Sequence, residues 1–227
     1  MRTIVSLGLL VAALASPAAP RLASADVRAL ADPIDAGRPA IHAFTDKEGL
    51  PQNSVMAMAY DRQNYLWVGT QDGLAVYNGR GWAVQNLPNR TVSNFVRSMI
   101  IASDGAIWVG RENGGLSRLA NGEWTTWDES TGLPAGRVEC LLESAAAGGS
   151  PVVWAGTRLG LARFDNGALT VHTTASGLPA DSVLTLAEGP APGGGRTVWA
   201  GTRGGLARLD GAGWAAVEVP GLEPGEA

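Results

Sequence analysis

A phrase built on tryptophan and glycine recurs four times in this 227-residue chain. The copies follow one another at intervals of 41, 46 and 45 residues, and each is preceded by a valine and followed by a Gly-Leu pair. A period of this size is the signature of a repeat architecture in which each copy is one supersecondary unit. The repeat therefore limits the fold more strictly than any other feature. Its tryptophans are Trp67, Trp108, Trp154 and Trp199, and its valines are Val55, Val96, Val138 and Val183.

Each copy divides into four short apolar segments separated by turn residues. An Asn-Gly or Asp-Gly pair lies between the third and fourth segments of every copy. Such pairs favour the positive-φ turns of tight β-hairpins. Four antiparallel strands at this period are typical of a propeller blade. The sequence therefore predicts an all-β chain with four four-stranded β-propeller blades, over residues of about 55–86, 96–128, 138–173 and 183–219.

The third and fourth copies have four extra residues between their valine and their tryptophan. The additions fall in residues 144–151 (SAAAGGSP) and 189–197 (GPAPGGGRT), which have the composition of loops. Insertions confined to one place in a repeat indicate a surface loop. Arg118, Arg163 and Arg208 recur in the third strand, where we expect stacking and pairing between blades.

The first 25 residues have the layout of a secretory signal peptide. A short positive start precedes an apolar run over residues 3–15, and Ala23-Ser24-Ala25 supplies a cleavage site of small residues. An uncleaved anchor is the alternative, but the run is short for a membrane span. We expect residues 26–40 to be a linker, and the mature chain to be periplasmic or secreted in a bacterium, without membrane insertion.

The repeat pattern begins and ends in the middle of a unit. Residues 41–45 (IHAFT) match a fourth strand that no first three strands precede, and the interval from Trp214 places the next valine at position 228. We expect residues 41–227 to be part of a larger propeller of about seven blades, with an isolated outer strand at 41–45. The alternative is a shortened protein that oligomerises to cover its open edges.

Three phrases of the first copy carry a family resemblance. They are GLPQNSV at residues 49–55, DRQNYLWVGT at 61–70 and GLAVY at 73–77, and together they resemble the two-component regulator propeller repeat. The second copy departs from it by lacking Gly-Leu-Pro and by having Arg111 in place of threonine. Members of that family are typically the exported sensory part of bacterial signalling proteins, and the sensed ligand is often a sugar. The resemblance implies a saccharide or other small-molecule ligand, with any kinase or cyclase output beyond residue 227.

Charge and side-chain chemistry argue against several other functions. A formal net charge of −4 provides no basic field for nucleic acid. The two histidines, His42 and His172, fall in predicted outer strands of different copies, and no spacing of Cys and His suits a metal. Cys140 is alone and lies within a strand, where cysteine packs as a small apolar residue. We therefore expect no catalytic residue, no metal and no cofactor.

Binding is the better prospect, because propeller ligands meet the loops of one face or the channel. Residues on the hairpin between the second and third strands would form a ring on one face, although they could also be ordinary solvated turn residues. Tyr65 and Trp127 have no counterpart in the other copies and are therefore free to face a ligand. The hairpin candidates are Gln71, Arg158 and Arg203, with Glu112 or Asn113 in the second copy.

These observations favour a non-enzymatic, extracytoplasmic ligand-sensing propeller of a two-component-type receptor. One alternative is a secreted propeller enzyme, either a lyase or a polysaccharide-active enzyme, because streptogramin lyases share tryptophan-glycine propeller repeats. Another is a secreted scaffold that binds a protein at exposed blade edges. The partners expected are a saccharide or other small molecule, together with further blades or another copy of the chain at the open edges.

Overall fold

The structure is a computed structural model that describes residues 42–88, 93–113, 115–146, 148–211 and 213–218. The chain divides into two units, residues 1–43 and 44–227, and only residues 42 and 43 of the first unit are described. The predicted signal peptide (1–25) and linker (26–40) lie outside the described residues. Among the residues that the structure does describe, no helix is long and apolar enough to cross a membrane.

The described residues form sixteen strands in four antiparallel sheets, and this confirms the predicted propeller blades. Within every sheet the strands lie side by side in chain order. Blade 1 contains β1 (Val55–Tyr60), β2 (Leu66–Thr70), β3 (Gly73–Tyr77) and β4 (Trp82–Gln85). Blade 2 contains β5 (Val96–Ile101), β6 (Ile107–Arg111), β7 (Leu116–Ala120) and β8 (Glu123–Trp127). Blade 3 contains β9 (Val138–Ala145), β10 (Pro151–Thr157), β11 (Gly160–Asp165) and β12 (Ala168–His172). Blade 4 contains β13 (Val183–Pro190), β14 (Arg196–Thr202), β15 (Gly205–Asp210) and β16 (Gly213–Val217).

The turns between the third and fourth strands adopt the conformation that their sequences favour. Asn121 (φ 52°) and Gly122 (φ 81°) are both left-handed in blade 2, as are Asn166 (φ 49°) and Gly167 (φ 85°) in blade 3. Positive φ at both central residues matches the twist of the flanking strands. The local sequence therefore explains these hairpins without reference to their neighbours.

The Gly-Leu-Pro phrase forms the connection into blades 1, 3 and 4. In each case a capped 3-10 turn ends at a glycine with positive φ, which is 92° at Gly132. Glycine adopts this left-handed conformation without steric cost because it has no Cβ, and its backbone N–H donates to the carbonyl of the first residue of the turn. The leucine that follows is buried under the blade, and this burial holds the connector in place. The three turns are Asp46–Glu48, Glu129–Thr131 and Thr174–Ser176, and the leucines are Leu50, Leu133 and Leu178.

Blades pack through contact between a glycine of the second strand and the valine that begins the next blade. A Cβ placed on Gly110 would lie 2.7 Å from the Cβ of Val138. Gly69 meets Val96 and Gly156 meets Val183 in the same way, and these three valines are fully buried. Neighbouring first strands accordingly lie against one another in chain order, β1 on β5, β5 on β9 and β9 on β13. The first strands are therefore the inner strands of the arc of blades.

The strand-three arginines stack as expected, but within their own blade. The guanidinium carbon of Arg163 lies 5.7 Å from the ring centre of Trp154, its directly paired neighbour on β10, and the same side chain bonds Asp165 at 2.6 Å. The expectation of pairing between blades is wrong, because the nearest carboxylate in each case belongs to the same blade. Arg118 stacks on Trp108 and pairs with Asp104, and Arg208 stacks on Trp199 and pairs with Asp210.

The face of blade 1 that points away from blade 2 is open. Val55 is 39% exposed, whereas the matching valines of the other blades are fully buried. Met58 is 65% exposed, whereas Met99, at the matching position of blade 2, is 8% exposed. Within the described residues, nothing of blade 4 packs extensively on blade 1. The four blades therefore form an open arc with apolar side chains at its first face.

The isolated outer strand predicted over 41–45 does not form at residues 42–45, which have no regular structure. Each described sheet already has its own fourth strand, so none of them presents a third strand to which these residues could add. Phe44 packs instead against blade 1, with its ring 5.1 Å from that of Tyr77 and 5.6 Å from that of Trp82.

Gly110→Ala is expected to destabilise the protein by about 1–3 kcal/mol, because the added methyl group overlaps Val138 of the next blade. Urea unfolding followed by tryptophan fluorescence measures the change. The control is Gly81→Ala, where no atom lies within 4 Å of the new Cβ, and its stability is expected to change by less than about 0.5 kcal/mol. Equal stability of the two variants would contradict the packing described for the blades.

Candidate functional site

The hairpins between the second and third strands lie beside the beginning of the inner strands. The backbone N–H of Gln71 donates to the carbonyl of Ser54 (3.2 Å), and that of Arg203 donates to the carbonyl of Ser182 (3.0 Å). In blade 2 the N–H of Glu112 makes the same bond to the residue before β5. These hairpins therefore share one end of the blades, which we call the hairpin end.

A threonine fixes the hairpin in three blades, and an arginine does so in the fourth. The hydroxyl of Thr157 donates to the carbonyl of Gly160 (2.9 Å) and accepts from the backbone N–H of Leu159, two residues on, and Thr70 and Thr202 make the same two bonds. Arg111 occupies this position in blade 2, is fully buried and donates to the carbonyl of Pro88 (2.9 Å). Burial lowers the pKa of its guanidinium group. The departure from the repeat thus alters the hairpin end of one blade only.

Every inner strand begins with a β-bulge directly after its valine. The bulged residue has no partner in the ladder, because the pairing skips one position between the valine and the second residue after it. Bulges redirect side chains and are common beside functional sites. Here they place one side chain per blade at the inner edge of the hairpin end. The four residues are Met56, Arg97, Glu139 and Leu184.

The two middle bulges join a network of five charged side chains, which we call the inner ion-pair network. Arg97 lies 3.3 Å from Glu139 and 3.4 Å from Glu112, and so links the bulges of blades 2 and 3 to the blade 2 hairpin. Arg137 bonds both carboxylates, Glu112 at 3.4 Å and Glu139 more closely. Arg158, on the blade 3 hairpin, approaches Glu139 at 3.5 Å. The network therefore spans two blades at their inner edge.

Glu139 is the centre of this network. Its side chain is only 9% exposed. Burial alone would raise the pKa of its carboxyl group, but hydrogen bonds and charges from Arg137 and Arg97 outweigh it and hold the pKa below its usual value. Three guanidinium groups face two carboxylates, so one positive charge is left in excess. Arg158 is the loosest member, being 47% exposed with the longest contact, and it is free to turn toward an anion or a hydroxyl group in solvent.

A groove of about 400 Å³ adjoins the network at the hairpin end. It runs between the blade 2 hairpin, at Asn113, and the connector into blade 3, where Asp128 and Ser130 line it. Gly136, at its far edge, lies against the Cβ of Arg158, since a Cβ there would be 3.4 Å away. The network and the groove thus form one polar surface that a small hydroxylated molecule could occupy.

The structure brings together only some of the residues that the sequence singled out. Gln71, Arg158 and Arg203 lie at the hairpin end with exposed side chains, but of these three only Arg158 joins the network. Tyr65 lies at the opposite end of blade 1, where its N–H bonds Asp61 (2.9 Å). Trp127 stacks on Trp108 with the two rings 5.3 Å apart, so it packs between blades 2 and 3.

Sequence reasoning missed Arg97, Arg137 and Glu139. The one signal in the sequence is the position directly after the repeated valine, which is apolar in blades 1 and 4 but charged, with opposite signs, in blades 2 and 3. Opposite charges at matching positions of neighbouring blades would have predicted an ion pair across the blade boundary.

Neither the thiol of Cys140 nor the imidazole of His172 lines this groove. Cys140 follows Glu139 on β9, but burial raises the pKa of its thiol to about 12, so it stays protonated. His172 is buried on β12 at the boundary with blade 4. Within the described ranges, no group of three His, Cys, Asp or Glu side chains could hold a metal ion.

Comparisons with known proteins agree with the fold. Residues 49–72 match the family model described as two component regulator propeller, which confirms the resemblance carried by the Gly-Leu-Pro and Trp-Val-Gly-Thr phrases. None of the curated proteins matches the sequence significantly.

Solved structures with this fold include extracellular domains of bacterial signalling systems and an enzyme. The extracellular domain of a hybrid two component system from B. thetaiotaomicron superposes with a TM-score of 0.64 and 19% identity, over 79% of this chain and 26% of that one. The extracellular domain of a one component system from the same organism superposes with a TM-score of 0.57 and 19% identity, over 74% of this chain and 22% of that one. Virginiamycin B lyase from Staphylococcus aureus superposes with a TM-score of 0.51 and 15% identity, over 74% of this chain and 56% of that one. The chain thus spans about a quarter of the two sensor domains, and at these identities the similarity shows the propeller fold alone.

Glu139→Gln is expected to destabilise the protein by about 1–3 kcal/mol at pH 7, because three arginines lose their shared carboxylate. Since the folded-state pKa of Glu139 is lowered, its contribution is complete above the unfolded pKa of about 4.3 and is lost as the pH falls through the folded value. The gap between parent and variant in urea unfolding should therefore shrink toward pH 3. Glu123→Gln, an exposed control on β8, should show no gap; a gap for Glu139→Gln that stays constant with pH would contradict the assignment.

Proposed function

We propose that this chain is an extracytoplasmic ligand-sensing propeller module of a bacterial receptor of the two-component type, with no catalytic activity of its own. The match of residues 49–72 to the two component regulator propeller supports the class of protein. The single observation that carries the binding role is the inner ion-pair network, which leaves the guanidinium group of Arg158 exposed beside a groove.

The ligand that suits this surface is a saccharide, above all one with a carboxylate. A hydroxyl group can bond the polar side chains of the groove, and a carboxylate can pair with Arg158 and use the excess positive charge of the network. Glu139 would then keep its other two arginines. Such a ligand binds more tightly to the arrangement of blades 2 and 3 in which Arg158 faces it. Only this difference in affinity between two arrangements of the blades can produce a signal.

The remainder of the receptor is also part of the proposal. The solved sensor domains are about four times as long as the part that this chain matches. We place these four blades in a propeller of about seven blades, followed by a signalling output, in the periplasm or outside the cell.

The open face of blade 1 is proposed to receive a blade of the same repeat. Blade 4 presents the matching surface: a Cβ on Gly201 would contact only Thr185 of its own blade, whereas Gly110 and Gly156 meet the next blade's valine. Leu206 is partly buried, whereas the matching leucines of blades 1–3 are fully buried. In the isolated 227-residue protein, the occupant that fits is blade 4 of a second copy.

A uronate is expected to raise the melting temperature of the protein by about 3 °C at ten times its dissociation constant. The measurement is thermal unfolding with glucose, galactose, glucuronate and galacturonate. Arg158→Ala should remove the effect of the uronates, and Arg203→Ala, at the matching hairpin position of blade 4, should retain it. A set of sugars that leaves the melting temperature unchanged would contradict the sensing proposal; stabilisation that survives Arg158→Ala would move the site elsewhere.

Met58→Glu is expected to weaken self-association of the isolated protein at least about tenfold, because a charge would be buried where apolar side chains meet. Sedimentation velocity over a range of protein concentrations measures the association. Gln63→Glu, which adds the same charge at an exposed loop position, is the control and should associate as the parent does. Equal association of the Met58 and Gln63 variants would show that the open face is not the contact.

A further inference from the structure

A cavity lies between blades 3 and 4, at the end of the blades opposite the hairpin end. It has a volume of about 720 Å³, within the range of small-molecule sites. Its lining combines apolar and polar side chains. The apolar ones include Val152, Trp154, Val198 and Leu209, and the polar ones include Ser144, Arg163, Thr170 and His172.

The corresponding cavity between blades 2 and 3 is much smaller, at about 290 Å³, and the side chains at the two boundaries differ. Trp127 pairs with Leu116 across the sheet, and His172 pairs with Leu161, the matching leucine of the next blade. His172 therefore replaces a tryptophan that stacks on the blade 2 repeat tryptophan and on Phe164. Leu209 in turn occupies the position of Phe164. Trp214, whose blade 3 counterpart is Leu169, packs with its ring 5.7 Å from that of Trp154 and 6.2 Å from that of His172. The larger cavity lies beside this group of rings.

The insertions of blades 3 and 4 border the same cavity. Ala145, the last residue of β9, and Ala146, directly after that strand, lie on one side. Arg196 and Thr197, where the second insertion ends, lie on the other. Insertions that a repeat protein tolerates at one end often build its binding face. The insertions in blades 3 and 4 and the residue changes at His172 and Leu209 therefore contribute to one cavity.

His172 carries a polar atom that the fold leaves without a hydrogen bond. The side chain is 7% exposed, and its Nε2 is shielded from solvent with no hydrogen-bond partner. Burial and the nearby charge of Arg163 lower the pKa of the imidazole, which is therefore neutral at pH 7. A small rotation of the imidazole, which lines the cleft, would bring this nitrogen to a ligand, and a ligand hydroxyl that bonds it recovers the cost of the unpaired atom.

The charges around the cavity are already paired. Arg163 bonds Asp165 at 2.6 Å, and Arg196 bonds Glu188 at 2.8 Å. The indole N–H of Trp154 donates to the hydroxyl of Ser144 at 2.8 Å. An ionic ligand would have to compete with these pairs, whereas an uncharged ring needs only apolar contact and one hydrogen bond to His172.

We propose that the cleft between blades 3 and 4 is a second binding site, which takes a small uncharged ring bearing a hydroxyl group, of the phenol class. The ring packs on Trp154, Val198 and Leu209, which line the cleft. Its hydroxyl group bonds the imidazole of His172. This site is independent of the sensing surface at the hairpin end, because it shares no residue with the inner ion-pair network.

Phenol and toluene, which have the same size and differ in the hydroxyl group, are the probes. The readout is the ring-proton NMR signal of His172 in the 227-residue protein, which His42→Gln identifies because the chain has two histidines. Phenol is expected to shift this signal saturably, with a dissociation constant on the order of 1 mM for so small a ligand. Toluene should bind about threefold to tenfold more weakly. No shift with phenol, or equal binding of both probes, would overturn the proposal.

Exchange of residues between the two cavities provides the matched variants. The triple variant His172→Trp, Leu209→Phe and Trp214→Leu gives the cleft the side chains of the blade 2–3 boundary and should lose saturation transfer from protein to phenol. Leu209→Phe alone serves the same purpose should the triple variant not fold. Trp127→His with Phe164→Leu and Leu169→Trp should create a second phenol site. Retention of phenol binding in the filled variants would overturn the assignment of the cleft, and uronate stabilisation through Arg158 tests the sensing role separately.

Discussion

The structure depends on the close contact between a glycine in the second strand of each blade and the valine that begins the next. Only a residue without a side chain allows this approach, since a Cβ on Gly110 would overlap the side chain of Val138. The contact lies at the inner edge, where the blades are closest, and the tryptophans fill the wider space farther out. Blade spacing and blade angle both follow from it. Larger residues in place of these glycines would push the inner strands apart. The contacts that cross each blade boundary would then be lost.

The inner ion-pair network is a direct consequence of that spacing. The bulge after each valine turns one side chain out of the ladder, and neighbouring inner strands are close enough for Arg97 and Glu139 to meet. Blades 1 and 4 have Met56 and Leu184 at the same position, so the charged surface is confined to the centre of the arc. The same backbone thus presents an apolar or a charged inner edge according to a single residue per blade, and the packing of the blades is unchanged.

The two boundaries on either side of blade 3 show how little sequence change separates a filled boundary from an open one. Trp127 and Phe164 pack on Trp108 at the first, whereas His172 and Trp214 pack on Trp154 at the second and leave a larger cleft beside them. Both boundaries keep the glycine–valine contact at the inner edge. The different side chains farther out therefore leave this closest contact between blades unchanged. Variation is tolerated toward the outer edge, because the blades diverge there and the space can hold side chains of different size.

The sequence by itself determined the number of blades in this segment, their strand order and their turns, because these depend on alternation, positive-φ residues and a fixed period among near neighbours. It also placed Arg158 at the correct end of the blades. It did not reveal the partners of Arg158, nor the packed position of Trp127, and residues 42–45 did not form the strand that their similarity to a fourth strand predicted. Arg97 and Glu139 are 42 positions apart, and an outer strand forms only where a free third strand exists. Only the tertiary structure decides such features, because the distance between side chains of different blades is set by how the blades pack, and the period of the repeat leaves that distance undetermined.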